Sequence, residues 1–287
     1  MFSMVAAVFA GLHLFVQKVG SVRGYNSSLL NTYSSALSSV LGFLVAGWFE
    51  GFSEISWTMV AFGVLNGVFY IIGANLRMDA MRCIDATILL PLHKFVSPLL
   101  ALGIGVLFFS EILSSREWLG IALGVLVPLL LISRNEHTRQ VNIQRGLILI
   151  VASALFAALG AAVSKEGTNL FTSVLLFAAV SNAFGAIAGS VQYRLRRKNS
   201  GSIAPDIHFA DHKLLLLSLV SGVIQYVSYA TFILAFAYGG TLAIVYTIHS
   251  LYILIPIVLA IIIYKEHWNV QKLIAIALSF AALWFMR

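Results

Sequence analysis

The fold is decided by residues 86–133, which read ATILLPLHKFVSPLLALGIGVLFFSEILSSREWLGIALGVLVPLLLIS. A long apolar segment carries the basic side chain of Lys94 and ends at Glu111, and a short polar link leads to a second apolar segment. The same order returns, diverged, 155 positions later in residues 241–286, where His249 occupies the position of Lys94. The chain therefore contains an internal duplication whose basic positions coincide.

The composition indicates an integral membrane protein. Apolar residues make up 60% of the chain and charged residues only 10%, whereas about a quarter of the residues in a soluble protein are charged. The apolar runs, about 18 to 26 residues long, are long enough for bilayer-spanning helices, and barrel strands would instead alternate over about ten residues. Because spanning helices satisfy their own backbone hydrogen bonds, we expect an all-α membrane protein. The net charge of +7 lies mostly in the links, so we interpret it as attraction to the lipid bilayer and not to nucleic acid.

Ten transmembrane helices are predicted from the apolar runs. The first lacks a basic leader and a small-residue cleavage site, so it is interpreted as a helix and not as a signal peptide. Short links make sequence neighbours antiparallel neighbours in space. The predicted spans are residues 2–20, 27–49, 57–82, 86–109, 115–133, 144–164, 170–193, 213–238, 241–263 and 269–286.

The duplication extends to the beginning of each half, because Lys18 in FVQKVG matches Lys165 in AVSKEG at an offset of 147. We predict a first five-helix repeat in residues 1–133, a polar link in 134–143 and a second repeat in 144–287. Five is an odd number, so the second copy enters the membrane from the opposite side, which gives two inverted five-helix repeats. Transporters built in this way place the substrate site near the bilayer midplane between the repeats.

A set of recurring residues resembles the EamA family of the drug/metabolite transporter (DMT) superfamily, over essentially the whole chain. These residues are Ala86, Pro98, Glu111, Gly120 and Gly124 in the first half, and Pro256 and Glu266 in the second. The resemblance implies a ten-helix transporter whose central cavity is lined by the first, third and fourth helices of each half, with the fifth helices outside. The chain departs from the family at the bulky, basic pair His93 and Lys94, where small or apolar residues are more usual.

Lys94 is the strongest candidate for a binding residue. It lies eight residues into its span, about 12 Å from the start, and a cation at that depth costs roughly 2.5–3.5 kcal/mol on insertion scales. The alternative is that Lys94 pairs with a carboxylate such as Asp79 and only fixes the packing. Helical spacing predicts a polar stripe in each half, and two facing stripes would wall a cavity: Pro91, Lys94, Ser97 and Ala101 in the first, and Tyr246, His249, Tyr252 and Pro256 in the second.

Other polar residues within the spans are weaker candidates for ligand contact. His93, beside Lys94, instead adds to a basic centre formed with Lys94 and His249. The weaker candidates are His13 in the first span, and Asn66 and Tyr70 in the third. Taken singly, each is more simply explained as a hydrogen bond between helices, worth under about 2 kcal/mol.

At the end of the third span the charges alternate in sign, through Arg77, Asp79, Arg82 and Asp85. Asp79 and Arg82 are three residues apart and can pair on a helix. We interpret these four residues as a salt-bridged rim, with a binding clamp as the alternative.

Two stripes of small residues permit close helix contact. Gly120 and Gly124 form the first stripe, and Ala275 and Ser279 form its echo in the second half. The contact lies either within the bundle or, in a homodimer, between two copies of the chain.

The side chains that are absent narrow the function. A proton-coupled exporter of cationic drugs needs a carboxylate near the middle of a span, and no predicted span has one. The basic residues Lys94, His93 and His249 would instead form an electropositive centre, which suits an anionic substrate. We find no pattern for an enzyme, a cofactor or a metal site. We therefore expect a secondary-active exporter of small metabolites such as amino acids, organic acids or other anionic or zwitterionic solutes, working by alternating access with proton coupling through His93 or His249. A proton-coupled multidrug exporter and a non-transporting scaffold or receptor remain the alternatives.

Two signals disagree about orientation in the membrane. Most Lys and Arg residues follow the odd-numbered spans, so the positive-inside rule places both termini outside. The family resemblance places them in the cytoplasm. In either case we expect a multi-pass protein of the cell (plasma or inner) membrane.

Overall fold

The computed structural model describes residues 1–23, 25–81, 83–84, 86–131, 142–199, 212–255 and 270–286. Within these ranges the chain is helical and contains no strand. The helices are α1 (Phe2–Val22), α2 (Ser27–Phe49), α3 (Trp57–Ala80), α4 (Ala86–Phe108), α5 (Ser115–Leu130), α6 (Ile143–Leu170), α7 (Val174–Asn199), α8 (His212–Ala237), α9 (Leu242–Ser250), which continues into a 3₁₀ turn (Leu251–Ile253), and α10 (Val270–Phe285).

Six of the described helices are long and apolar enough to cross a membrane. They contain the segments Ser28–Phe49, Trp57–Arg77, Ile88–Phe108, Ile143–Leu170, Val174–Leu195 and His212–Ala237. Shorter apolar segments are Phe2–Gln17, Leu242–Ile253 and Leu273–Phe285. Large apolar side chains such as Trp48 and Phe108 are more than three-quarters exposed on the outside of the bundle. Because soluble proteins rarely expose such surfaces, this one suits contact with lipid.

The helices pack in pairs that reproduce the duplication. An offset of 147 relates α1 and α2 to α6 and α7, and an offset of 155 relates α3, α4 and α5 to α8, α9 and α10. In the structure α1 packs against α8 and α4 against α6, and the equivalent pairs α6 with α3 and α9 with α1 also form. Exchange of the two halves therefore maps each of these pairs onto another pair that forms in the structure.

The contact between α2 and α7 is reciprocal at the level of single residues. A Cβ on Gly42 would lie 2.8 Å from the Cβ of Ala179, and a Cβ on Gly189 would lie 2.6 Å from Oγ1 of Thr32. Gly42 corresponds to Gly189 and Thr32 to Ala179 under the offset of 147. Such a contact, in which each residue meets its partner's equivalent, is the signature of a twofold relation.

A second reciprocal contact joins α3 to α7 and α8 to α2. A Cβ on Gly67 would lie 2.6 Å from the carbonyl oxygen of Ser181, and a Cβ on Gly222 would lie 2.9 Å from that of Ser34. Both glycines are required by the close approach of the helix backbones, which a side chain would prevent. The glycine pair aligned by the duplication therefore performs the same packing task in each half.

Side-chain caps fix several helix starts. Asn26 accepts the N–H groups of Ser28 and Leu29 at the start of α2, and Ser114 and Glu117 form a capping box at the start of α5. These contacts satisfy amide groups that have no partner within the helix. The polar residues at the ends of the apolar runs thus define where these helices begin.

Two carboxylates of the link after α2 hold the start of α7. Glu50 accepts the N–H of Leu176 at 3.0 Å, and Glu54 accepts the N–H of Ser173 at 2.7 Å and the hydroxyl of Thr172. The hydrogen bonds from Thr172 and Ser173 hold the pKa of Glu54 below its ordinary value. Negative charge at a helix N-terminus also interacts favourably with the helix dipole.

Some predicted boundaries were wrong by several residues. Helix α6 continues to Leu170 and α7 begins only at Val174, whereas we expected the sixth span to end at residue 164 and the seventh to begin at residue 170. The extra turns of α6 form because Lys165 finds an ion-pair partner and because the Phe177 ring packs against Gly167. The link 134–143, except residues 142 and 143, and the end of the ninth predicted span from Pro256 onward lie outside the described residues, as does Glu266.

The small-residue stripe of α5 packs against both α10 and α9. A Cβ on Gly120 would lie 2.6 Å from the Met286 side chain, and a Cβ on Gly124 would lie 2.7 Å from Thr247. On the other stripe, Ala275 is fully buried. These close contacts are made within one chain, so the homodimer through the same stripes stays a prediction.

Candidate functional site

A cavity of about 170 Å³ lies between the two halves. It is lined by residues of α1, α3 and α4 from the first half and α6, α8 and α9 from the second, and Ser181 and Asn182 of α7 also contribute. A single water needs only about 10–15 Å³ on this measure, so the cavity has room for a small metabolite. Helices α5 and α10 contribute no residue to the described lining.

Most of the predicted site residues line this cavity. They are His13, Asn66, Tyr70, His93, Lys94, Tyr246, His249 and Tyr252. Ser97 does not line it: its hydroxyl donates to the backbone oxygen of His93 at 2.7 Å. The structure thus brings residues from α1, α3, α4 and α9 together, although their roles in binding stay predictions.

Lys94 is buried, with 4% of its surface exposed. Its Nζ lies 4.0 Å from the centre of the Tyr252 ring, an arrangement in which the ring face attracts the ammonium group. No ion pair between Lys94 and Asp79 is seen among the described residues, where the ion pair that is seen joins Lys165 to Glu111. Lys94 therefore contributes a buried positive charge that no described carboxylate neutralises.

The second half contributes an aromatic wall around His249. The His249 ring lies 4.8 Å from the Phe232 ring and 5.3 Å from the Tyr252 ring, measured between centres. Tyr246 lies against Phe232 at 6.3 Å. The Nδ1 of His249 is buried without a hydrogen-bond partner among the described residues. This wall offers ring faces and one unsatisfied nitrogen.

Arg77 also lines the cavity, and our reading of the sequence missed it by assigning it to a rim. Its Nε is buried without a hydrogen-bond partner in the described part of the chain. A signal was present in the spacing, because Asn66, Tyr70 and Arg77 lie four and seven residues apart and share one face of α3.

The described lining contains two basic side chains, Lys94 and Arg77, and no Asp or Glu. Within the described ranges, no group of three or more His, Cys, Asp or Glu residues could hold a metal ion. The chemistry of the cavity is therefore that of an electropositive, partly aromatic binding site.

Several predicted residues are already satisfied by neighbouring helices. The Asn66 amide donates to the backbone oxygen of Gly160 at 2.8 Å and to the Ser164 hydroxyl at 2.7 Å, and its oxygen accepts the Tyr229 hydroxyl at 2.8 Å. These bonds use most of the hydrogen-bonding capacity of the side chain. Asn66 therefore ties α3 to α6 and α8.

The two other buried histidines are held in a similar way. Nε2 of His93 lies 3.2 Å from the Ser153 hydroxyl, which itself donates to the Gly73 carbonyl. His13 contacts Gln17 at 2.9 Å through Nε2 and Ser221 at 3.2 Å through Nδ1. Among the cavity histidines, His249 is the one with an unsatisfied nitrogen.

The polar contacts on either side of the cavity are related by the duplication. His13 corresponds to Gly160, and Asn66 corresponds to Ser221. The His13–Ser221 contact between α1 and α8 is therefore the counterpart of the Asn66–Gly160 contact between α6 and α3. The two halves therefore make a polar contact at equivalent positions, but with different side chains: His13 with Ser221, and Asn66 with the backbone of Gly160.

Near one end of the bundle a buried ion pair joins the two halves. Lys165 of α6 pairs with Glu111, which follows α4, and Glu111 also accepts the N–H groups of Leu242 and Ala243 at the start of α9. The side chain of Glu111 is 3% exposed. One carboxylate thus holds together three helices that surround the cavity.

Comparison with known proteins agrees with this architecture. One protein of known crystal structure superposes with a TM-score of 0.78 and 14% sequence identity, over 99% of this chain and 94% of that chain. At this identity the likeness shows the fold alone. No curated protein sequence matches the chain.

The family comparison agrees with the resemblance noted in the sequence. The model of the EamA-like transporter family matches residues 1–133 and 144–287. Together with the apolar helices, this match makes the chain an integral, multi-pass membrane protein. The protein belongs to the EamA-like transporter family, within the drug/metabolite transporter superfamily.

Proposed function

We propose that this protein is a secondary-active exporter of small anionic or zwitterionic metabolites, such as amino acids and organic acids, in the cell membrane. It works by alternating access, with ten transmembrane helices arranged as two inverted five-helix repeats around the cavity. Lys94 binds the anionic group of the substrate. The protein is a transporter without catalytic activity of its own.

The observation that carries this proposal is the buried charge of Lys94 in a cavity without a described carboxylate. Burying a cation is costly unless it gains a partner, and charged groups inside the membrane are by default functional. The Tyr252 ring at 4.0 Å compensates for only part of the lost hydration. A substrate anion supplies the remaining compensation.

The position of the cavity supports alternating access. Inverted-repeat transporters place their substrate between the repeats and expose it to one side at a time. Here helices of both halves line the cavity, and the reciprocal contacts of Gly67 and Gly222 support a twofold relation between the halves. Rocking of one half against the other would open the cavity to alternate sides.

Of the alternatives, the cationic-drug exporter is disfavoured by the same charges. Two cations line the cavity, and like charges in a low-dielectric site repel a cationic ligand. The scaffold or receptor alternative can be distinguished from a transporter by an uptake experiment, since a receptor would bind a ligand without moving it across the membrane.

Counterflow uptake into proteoliposomes tests the proposal. The labelled probes are succinate, glutamate and glycerol 3-phosphate, with tetraphenylphosphonium as the cationic comparison. We expect the wild type to take up at least one anion and Lys94→Gln to lose about tenfold or more of that uptake, since a charge-assisted contact is removed. Lys213→Gln, at an exposed position near the start of α8, is the control and should leave uptake unchanged. Uptake of tetraphenylphosphonium alone would contradict the proposal, and binding without uptake would favour a receptor.

A further inference from the structure

The cavity contains a second cationic side chain that the function proposed above does not use. Arg77 lies three residues before the end of α3, and Lys94 lies eight residues after the start of α4. Because a short link joins these two helix ends, both residues approach the cavity from the same side of the bundle. At 1.5 Å per residue their backbones differ in depth by only about 7 Å, a distance that the long arginine side chain can span.

Arg77 has a buried hydrogen-bond donor for which the described part of the chain supplies no acceptor. Its Nε is buried without a hydrogen bond, and the ion pair seen among the described residues does not involve it. Unsatisfied buried donors are uncommon in folded proteins and need an explanation. A planar guanidinium group matches carboxylate and phosphate oxygens through paired hydrogen bonds.

The other lining residues do not neutralise these two charges. Tyr252 contacts Lys94 through its ring face, and the remaining described lining consists of apolar, histidine, tyrosine, amide and hydroxyl side chains. A substrate with one negative charge would leave one cation uncompensated in a low-dielectric site. A substrate with two negative charges compensates both.

We propose that Arg77 and Lys94 together bind a doubly charged organic anion, either a dicarboxylate or a phosphate monoester. This inference rests on the proposed function and names the substrate class of the same cavity. Arg77 binds one anionic group through its planar edge, and Lys94 binds the other group or the remaining phosphate oxygen. The aromatic side chains of Phe232, Tyr246 and His249 contact the uncharged part of the molecule.

The test is the affinity of the purified, full-length protein for matched probes, measured by titration calorimetry. Succinate carries two carboxylates, and succinamate replaces one of them with an amide of nearly the same shape. Glycerol 3-phosphate tests the phosphate monoester. We expect the wild type to bind succinate or glycerol 3-phosphate about tenfold or more tightly than succinamate, because the second anionic group gains a charge-assisted contact.

Variants assign the preference to Arg77. In Arg77→Gln the affinities for the dianions and for succinamate should fall within about threefold of each other, and Arg77→Lys should restore part of the difference. Arg145→Gln is the matched control, because Arg145 is exposed near the start of α6 and should leave the preference unchanged. If Arg77→Gln does not fold, the ratio of dianion affinity to succinamate affinity is compared between the wild type and Arg77→Lys, and it should be smaller in Arg77→Lys.

Equal affinity of the wild type for succinate, glycerol 3-phosphate and succinamate would overturn the inference and leave the proposed anion transporter intact. A wild-type preference that survives in Arg77→Gln would also overturn it, since another group would then read the second charge. Failure of every anion to bind would overturn the inference and count against the proposed function as well. Tighter binding of glycerol 3-phosphate alone would select the phosphate monoester, and tighter binding of succinate alone would select the dicarboxylate.

Discussion

The walls that the two halves contribute to the cavity occupy equivalent positions but differ in chemistry. In the first half α3 and α4 present Arg77 and Lys94, and in the second half α8 and α9 present Phe232 and His249 at the matching positions. One wall is cationic and the other is aromatic. By contrast, the glycines that let the helices approach, such as Gly67 and Gly222, are the same in both halves.

This difference separates what the fold needs from what the ligand needs. Close backbone contact tolerates almost no side chain, so glycines such as Gly67 with Gly222 and Gly42 with Gly189 stay alike in both halves. A small solute need not be symmetric, so the cavity positions are free to differ. If the cavity binds the dianion proposed above, the anionic groups of the ligand face the cationic wall and its uncharged part faces the aromatic wall.

The shared packing positions should give the largest effects when they are changed. Gly67→Leu and Gly222→Leu should both abolish folded protein, because the new Cβ atoms would lie 2.6 Å and 2.9 Å from backbone oxygens that cannot move aside. Gly103→Leu is the control, since a Cβ there meets no atom within 4 Å. Membrane abundance and monodispersity after detergent extraction measure the outcome. Normal folding of either glycine variant would contradict the claim that Gly67 and Gly222 have the same packing role in the two halves.

The ion pair between the halves should give the next largest effect. In Glu111→Gln, Lys165 loses its carboxylate and the start of α9 loses a charged cap. Removing one partner of a buried pair costs about 3–5 kcal/mol, so we expect the melting temperature to fall by roughly 5–10 °C.

The double variant Glu111→Gln with Lys165→Met is the matched control for this effect. It removes both charges and should recover part of the lost stability, because no unpaired cation remains buried. A double variant less stable than Glu111→Gln alone would show that the carboxylate acts mainly through the α9 cap.

Equivalent polar positions with unequal bonding should give unequal, moderate effects. Asn66→Ala removes three hydrogen bonds, whereas Ser221→Ala removes the contact with His13. At about 0.6 kcal/mol for each interhelical bond, we expect losses of about 1–2 and about 0.5 kcal/mol, measured by unfolding in sodium dodecyl sulfate. Equal losses would mean that the contacts seen at the two positions do not set their stability.

The smallest predicted effect lies outside the spans, at Glu54. Its pKa is lowered from an ordinary value of 4.5 by hydrogen bonds from Thr172 and Ser173. A lowered folded-state pKa contributes stability above the unfolded-state value and loses it as the pH falls through the folded-state value. Wild type should therefore melt slightly above Glu54→Gln at pH 7, and the difference should shrink below about pH 4.5. A difference that is constant with pH would exclude the carboxylate charge as its source.

Much of this architecture could be predicted from the sequence, because apolar run length and the offsets between repeated residues are local signals. The position of Lys94 in the cavity was predictable for a similar reason, since a cation deep in an apolar run is conspicuous. The end of α6 was not predictable, because the contacts that accompany its extra turns are not local: Lys165 pairs with Glu111, 54 positions away in the chain, and Gly167 packs against Phe177 of the next helix.

The sequence also could not show which polar residues bond to neighbouring helices and which remain free to contact a ligand. Asn66 and His249 look alike as polar groups within apolar runs, yet Asn66 is satisfied by three neighbours and His249 has an unpartnered nitrogen. Arg77 was assigned to a rim because its sequence neighbours alternate in charge. Which helix face meets the cavity depends on tertiary packing, and that packing decides whether a polar group binds protein or ligand.

The most direct test of the central claim is the melting temperature of Lys94→Gln, with and without succinate or glycerol 3-phosphate. If Lys94 serves the ligand, the variant without ligand should be as stable as wild type or more so, because a costly buried charge is gone. The rise in melting temperature that the anions cause in wild type should disappear. A variant several degrees less stable than wild type that is still stabilised by the anions would contradict the account and assign Lys94 to the packing of the bundle.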